Sequence, residues 1–298
     1  MAFVALAVRP AEAMPPLPPE PEFGAYRFVA DVDDAVSVFL NPAAMAGSKG
    51  TNLLMDLSGG HHFPDEWSGA LQGGWSGFGY RHNKGEECGA CGGIKKAATV
   101  AQFGGWRTDS FVLAAAQGGR WLRVGVAREW MDTDTDSFDW RTWHASVLSR
   151  PSPRLSLGGT IERLDTPRYD HVELRPRYTY GVSLRPLPSS LNLLVLNVQG
   201  RHEDGGHGRV DMLYGVGTST RSGVDAAITL RDVNGAPPEF GLSVTRRVGN
   251  GAYTGRVRAV SRGTDDMRGS VTVQAFDEFW RRTHPRSASE GTPRGEDR

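Results

Sequence analysis

The chain has 298 residues, with 34 basic and 34 acidic side chains in balance, which removes the usual electrostatic reason to expect a nucleic-acid partner. Glycine, at 38 residues, stands well above its usual ~7%. No run of about 18 apolar residues could cross a bilayer as a helix, so any crossing must be made by strands.

Residues 1–13 hold a short apolar run and then Ala11-Glu12-Ala13, a small-x-small pattern like a signal-peptidase site. Arg9 lies on the wrong side of the apolar run, so this is read as an export signal with a truncated or misassigned start, against a plain disordered N-terminus. Export would put the cysteines in an oxidising compartment. Residues 14–30 follow as a Pro-rich spacer, because proline removes backbone donors and favours extended conformations.

Residues 31–48 change character. Val32, Val36, Phe39 and Leu40 recur at helical spacing and Asp33 or Asp34 is placed to cap the N-terminus. Pro42 is expected to end the helix, with Ala43 to Gly47 as a small-residue turn. Asp31, Asp33 and Asp34 would be costly against lipid, and Pro42 cannot join a sheet ladder. The element is therefore expected in an enclosed lumen, with Asn41 bonding freed carbonyls at the helix end and Ala43 and Ala44 allowing close approach to the wall.

Residues 49–276 have one texture, period-two segments of roughly ten residues separated by turn signals. Tyr178, Tyr180, Val182 and Leu184 alternate with Thr179, Gly181, Ser183 and Arg185, and Val224, Ala226, Ile228 and Leu230 alternate with Asp225, Thr229 and Arg231. About fourteen strands are counted in this way; the Leu191 to Val198 stretch is apolar on both faces, so its register stays open. The expected fold is all-β, an antiparallel transmembrane β-barrel with a short N-terminal helical hatch in the lumen. Glu162, Arg185, Asp225, Arg231, Arg256 and Arg258 are expected to face that lumen, and an arginine at Ser156 or Ser183 is expected to be tolerated there.

A soluble sandwich, such as a lectin or adhesin, would bury one large aliphatic face of every strand. A barrel instead turns its apolar face to lipid and needs only a band of about 25 Å. Trp106, Trp121, Trp130, Trp140, Trp143, Tyr169, Tyr178 and Tyr253 lie mostly near strand ends, as girdles at two interfaces would. Tight turns, such as Gly249-Asn-Gly251, alternate with longer polar loops, such as 132–139. That rhythm fits short periplasmic turns and long external loops in a Gram-negative outer membrane. Residues 277–298 form a charged tail, expected to be disordered.

The segment Asp33-Asp34-Ala-Val-Ser-Val-Phe-Leu-Asn41-Pro42-Ala43-Ala-Met45 resembles the N-terminal hatch of the long-chain fatty-acid channel superfamily and its relatives associated with type IX secretion. The stretch from Ser149 to Pro186 is similar to barrels fused ahead of signal peptide peptidase A. The resemblance implies a hatch motif at Asn41, Pro42 and Ala43, a barrel of about fourteen strands, and a task that is either carriage of hydrophobic molecules or anchoring of a partner. The fused peptidases act through a serine and lysine in a separate α/β domain, so protease activity is not carried over to these residues.

Cys88-Gly-Ala-Cys91 reads first as a local disulfide in a glycine-rich external loop; zinc would need four ligands, and a thioredoxin-like site a βαβ context. Asp132-Thr-Asp134-Thr-Asp136 opens like a calcium loop, but Ser137 holds the glycine position and Trp143 the final glutamate position. A solvated loop is the leading reading there, with weak divalent binding beside lipopolysaccharide as the other. His61-His62 and the cluster of His202, Glu203, Asp204 and His207 lie in polar loops that pre-organise no ligands.

No catalytic residue, resident metal or cofactor is expected. Expected partners are outer-membrane lipid and lipopolysaccharide, with a small hydrophobic ligand and a periplasmic protein as further candidates and no nucleic acid. The leading functional expectation is porin-like, passive transport of small apolar solutes, with glycine pairs such as Gly73-Gly74 and Gly104-Gly105 kinking strands to open a side route. The alternative is a non-conducting anchor or assembly platform for a periplasmic peptidase or secretion component.

Overall fold

Alternation of apolar and polar residues gives each strand two unlike faces, and closing the sheet lets one face meet lipid while removing every edge. The computed structural model describes residues 27–32, 34–48, 50–59, 66–83, 108–133, 140–169, 172–187, 194–204, 210–219, 224–232, 238–248, 251–260 and 268–276. Fourteen of its strands form one closed antiparallel barrel. In chain order these are β1 (Thr51–Gly59), β2 (Glu66–Gly73), β3 (Ser76–Asn83), β4 (Thr108–Gly118), β5 (Leu122–Thr133), β6 (Trp140–Ser152) and β7 (Leu155–Glu162). A two-stranded hairpin of β8 (Arg168–Tyr169) and β9 (Val172–Glu173) stands outside the barrel.

The barrel resumes with β10 (Arg177–Leu184), β11 (Leu194–Glu203), β12 (Asp211–Ser219), β13 (Val224–Asp232), β14 (Glu239–Val248), β15 (Gly251–Val260) and β16 (Arg268–Phe276). Strand β10 pairs with β7 across the β8–β9 hairpin, and β1 closes on β16 from Asn52↔Phe276 to Gly59↔Gly269. Gly73-Gly74 does not kink a strand. Gly74, at φ +59°, makes the β2–β3 hairpin turn, a backbone region that glycine enters without a Cβ penalty. The β6–β7 pair does carry an irregularity, a register shift between Ser149 and Ser152 beside Pro151.

The two faces separate cleanly. Leu157, Val182 and Val244 are 41%, 43% and 46% exposed, whereas Ser156 and Ser183 are buried at 1% and 0%. This inversion of the soluble-protein pattern, apolar outside and polar inside, is what a lipid-facing barrel requires. In β11, Val198 points outward between Val182 and Tyr214, and Asn197 inward. Its neighbours thus fix the register that its own residues left open.

Trp75 and Trp121 stand exposed on the tight turns after β2 and β4. Towards the other end Trp67, Tyr80 and Phe111 pack ring to ring, with centroids 4.7 Å and 4.9 Å apart. Aromatic belts therefore flank the apolar band at both ends. The tight turns share one end, assigned to the periplasm by the usual barrel asymmetry, although that end also carries the longer β10–β11 connection, residues 185–193.

Candidate functional site

The lumen is filled in its turn-end half by residues 27–48. This packed plug begins before the expected boundary at Asp31: Phe28, Val29 and Ala30 are all buried, although they follow the Pro-rich run and carry no period of their own. Its α-helix, α1 (Ser37–Leu40), is short, and Val36 at its N-terminus has no side-chain cap. Asp34 Oδ1 instead accepts from the Val36 N–H at 3.1 Å, an Asx-type contact. Pro42 does not end the helical run in a loose turn. It starts a 3-10 helix over Pro42–Gly47, since a first helical position needs no N–H donor.

Asn41, Pro42 and Ala43 are fully buried. The Asn41 amide donates to the carbonyl of Val29 at 2.6 Å and to that of Val147 on β6 at 3.4 Å. It thus bridges the plug's incoming strap to the barrel wall and does not serve the helix end, as its position after the helix had led one to expect. Further bonds tie the plug to strands all around the barrel. The Val29 N–H donates to Gln199 of β11 at 2.8 Å, the Ala43 N–H to Ser146 Oγ of β6 at 2.9 Å, and Gln274 of β16 donates to Asp34 at 2.7 Å. Arg185, just after β10, pairs with Asp31.

Close approach depends on glycines of the wall more than on alanines of the plug. A Cβ at Gly125 would lie 2.3 Å from the Ala43 nitrogen, and one at Gly158 would lie 2.5 Å from the Val29 carbonyl oxygen. Both obstacles are backbone atoms, which cannot swing aside. Gly77, Gly79 and Gly215 similarly face Val38, Phe39 and Phe28. Inward glycines thus form the cradle, a signal present in the sequence but read there as general glycine excess.

Above the plug, towards the long-loop end, lies a basin of about 120 Å³. Val38, Phe39, Leu40 and Pro42 form its plug-side lining. Its walls carry paired charges. Glu129 of β5 accepts from Arg81 and Ser110, and His144 Nε2 meets its other oxygen at 3.1 Å. Glu162 accepts from Arg177 Nε at 2.9 Å, and Arg163 reaches Glu203 at 3.0 Å. Arg81 also sits 5.2 Å from the centre of the Phe39 ring, a cation–π contact joining basin to plug.

At the rim Asp165 accepts from Thr142 Oγ1 at 2.6 Å and from the Trp143 N–H at 3.0 Å. Burial pushes this carboxyl up, but those hydrogen bonds and the nearby Arg128 guanidinium outweigh it and hold the group below its ordinary range.

The expected lumen residues therefore fall into different settings. Glu162 lines the basin, Arg185 belongs to the plug's fastening, and Arg231 meets Glu239 at 3.6 Å across β13 and β14. Asp225 is half-buried in β13, opposite Thr245. The side chains of Arg256 and Arg258 lie outside the described residues, as do Cys88, Cys91, His61, His62, Asp134, Asp136, Trp106, and Gly104-Gly105. His202 stacks on Tyr178 at 5.1 Å while Glu203 turns to Arg163, and His207 lies outside the described residues. Arg81, Ser110, Glu129 and His144 were missed. Their signal was a charge or hydroxyl at inward parity within otherwise ordinary strands.

No protein-family model matches the sequence, and no curated protein matches it. Solved structures do share the architecture. The Ralstonia pickettii toluene transporter TbuX superposes with a TM-score of 0.55 at 10% identity, covering 81% of this chain and 93% of that one. The CymD monoaromatic hydrocarbon channel gives 0.51 at 9% identity, covering 83% and 94%. At such identities the likeness concerns the fold, which is the closed antiparallel barrel of bacterial outer-membrane proteins.

Proposed function

We propose that this barrel carries small apolar solutes passively across the outer membrane, with residues 27–48 as the hatch that closes it. The observation carrying this reading is the division of the lumen. A separate segment fills one half through discrete side-chain bonds, and an accessible basin with an apolar floor of Val38, Phe39, Leu40 and Pro42 lies on its other side. Two proteins of the same fold are named for toluene and monoaromatic hydrocarbons, which supports the solute class. The lumenal position of Asn41-Pro42-Ala43 supports the resemblance to the long-chain fatty-acid channel superfamily.

The test is flux of a toluene-sized solute into proteoliposomes holding the full chain. Saturable entry above protein-free vesicles is expected; entry at the protein-free rate would remove the transport reading. A second reading, a closed anchor or platform for a periplasmic partner, is favoured by the reach of the fastening, which ties the plug to β6, β10, β11 and β16. Absence of flux together with capture of a periplasmic peptidase or secretion component would favour it.

A further inference from the structure

We infer that the turn end of the barrel holds a binding site for the headgroup of an anionic glycerophospholipid, formed on its outer rim by Arg120, Trp121 and Arg154. This end projects into the periplasmic leaflet, the phospholipid leaflet of a Gram-negative outer membrane. The site lies outside the lumen and does not depend on what the barrel carries.

Register sets the position. Trp121 and Leu122 are each 55% exposed, and the outward face of the wall continues from Leu122 through Val124 on β5 and Leu157 on β7. Arg120 and Trp121 occupy the turn just before β5, and Arg154 the turn just before β7. All three therefore stand where the apolar band gives way to headgroups. The turns are tied side by side: the Arg150 N–H donates to the Trp121 carbonyl at 2.9 Å, and the Arg185 N–H to the Arg154 carbonyl at 2.8 Å. Hairpins two strands apart have centres about 10 Å apart, so both arginine side chains reach a phosphate between them.

Charge selects the ligand. Arg120 and Arg154 are exposed, and among the described residues no carboxylate pairs with either. The Arg120 guanidinium lies 5.1 Å from the centre of the Trp121 ring, a stacked cation whose donor edges stay open to an oxyanion. Arg246, in outward register with Val244 on β14, is a third exposed cation at this end. The carboxylates here turn inward: Asp31 and Asp34 belong to the plug, and Asp225 pairs with Thr245 on the lumenal face.

The opposite end has the reverse pattern, since Asp109 and Asp132 share the outward register of Phe111 and Trp130. Only the turn end thus offers the lipid face arginines without acids. A phosphate oxyanion supplies their missing partner in bidentate geometry. A zwitterionic headgroup carries its own cation, which competes for that phosphate.

Native mass spectrometry of the full chain in neutral detergent, titrated with phosphatidylglycerol or phosphatidylcholine of identical acyl chains, counts bound lipid. Phosphatidylglycerol is expected to bind about fivefold or more tightly, with a preference that shrinks as ionic strength rises. Arg120→Gln and Arg154→Gln are each expected to weaken it about fivefold, equivalent to the ~1 kcal/mol of one basic residue at an anionic lipid surface. Arg168→Gln removes the same charge from the opposite rim, where it pairs with Glu173 at 3.1 Å, and should leave binding unchanged.

Equal affinity for the two lipids, indifference to both turn substitutions, or an equal loss with Arg168→Gln would overturn the assignment. Preference for lipid A through Arg120 and Arg154 would overturn it in favour of the other leaflet. Binding of soluble polyglutamate in place of phosphatidylglycerol would overturn it in favour of an acidic protein partner. The comparison of lipids on the unaltered protein is decisive whether or not the variants insert.

Discussion

Replacing Gly125 by alanine should loosen the plug without touching the lipid face. The new Cβ would lie 2.3 Å from the Ala43 nitrogen and 2.5 Å from the Pro42 carbonyl carbon, so the plug backbone must retreat by about 1 Å to restore ordinary contact near 3.5 Å. Overpacking of this kind costs about 1–3 kcal/mol. The retreat also strains the bond from Ala43 N–H to Ser146 Oγ, now 2.9 Å; losing it adds about 1–2 kcal/mol. The expected total is about 2–5 kcal/mol.

Gly159→Ala is the control. Its Cβ would meet Val147 Cγ1 at 3.5 Å, an ordinary contact, and replacing a strand glycine is neutral or stabilising by up to about 1 kcal/mol. Urea unfolding in lipid vesicles, followed by tryptophan fluorescence, reads the stability difference, and single-channel recording reads the opening. Equal stability of the two variants with unchanged conductance for Gly125→Ala would refute the tight seating of the plug on that wall.

Asn41→Ala should destabilise by about 1–3 kcal/mol in the same unfolding assay, because it leaves the buried Val29 carbonyl without its donor. Leu157→Arg or Val244→Arg should cost about 2–4 kcal/mol near the lipid midplane, whereas Ser243→Arg, half-buried on the lumenal face of β14, should cost about 1 kcal/mol or less. Equal damage on both faces would contradict the assignment of inside and outside. For Asp165, a folded-state pKa below the unfolded one means that its contribution is present above the ordinary aspartate range and is lost as pH falls through the lower folded value. Pepsin cleavage in residues 163–176 should therefore rise steeply only below about pH 3.9, and a profile identical to that of Asp165→Asn would count against the Asp165 hydrogen bonds as what holds this segment to the rim.

Strands such as β10 could be read from sequence because each face meets a single phase, so every residue repeats the same message. In β11, by contrast, Leu194 to Leu196 is apolar on both faces, and only its pairing with β10 and β12 selects a side. The hatch was legible through its helical spacing and Pro42. Its start was not: Phe28 to Ala30 acquires meaning only against Gly158 and Gly215, wall residues far along the chain.

Ser156 and Ser183 were read correctly as inward, but their surroundings were not. The plug leaves them almost no exposure, so an arginine at either position would meet packed atoms where water was expected. The basin was the least legible feature, since Glu162 and Arg177 become a pair only because β7 and β10 adjoin across the excluded β8–β9 hairpin.

The central claim, that residues 27–48 close the lumen, is tested most directly by single-channel conductance of the full chain against a variant lacking Asp31 to Gly47 that still inserts and shows heat-modifiable migration. A plug held by bonds from β6, β11 and β16 leaves an open pore when removed, so conductance should rise several-fold and become sensitive to the size of the permeating ion. An unchanged, closed barrel would contradict it and show that other residues fill the lumen.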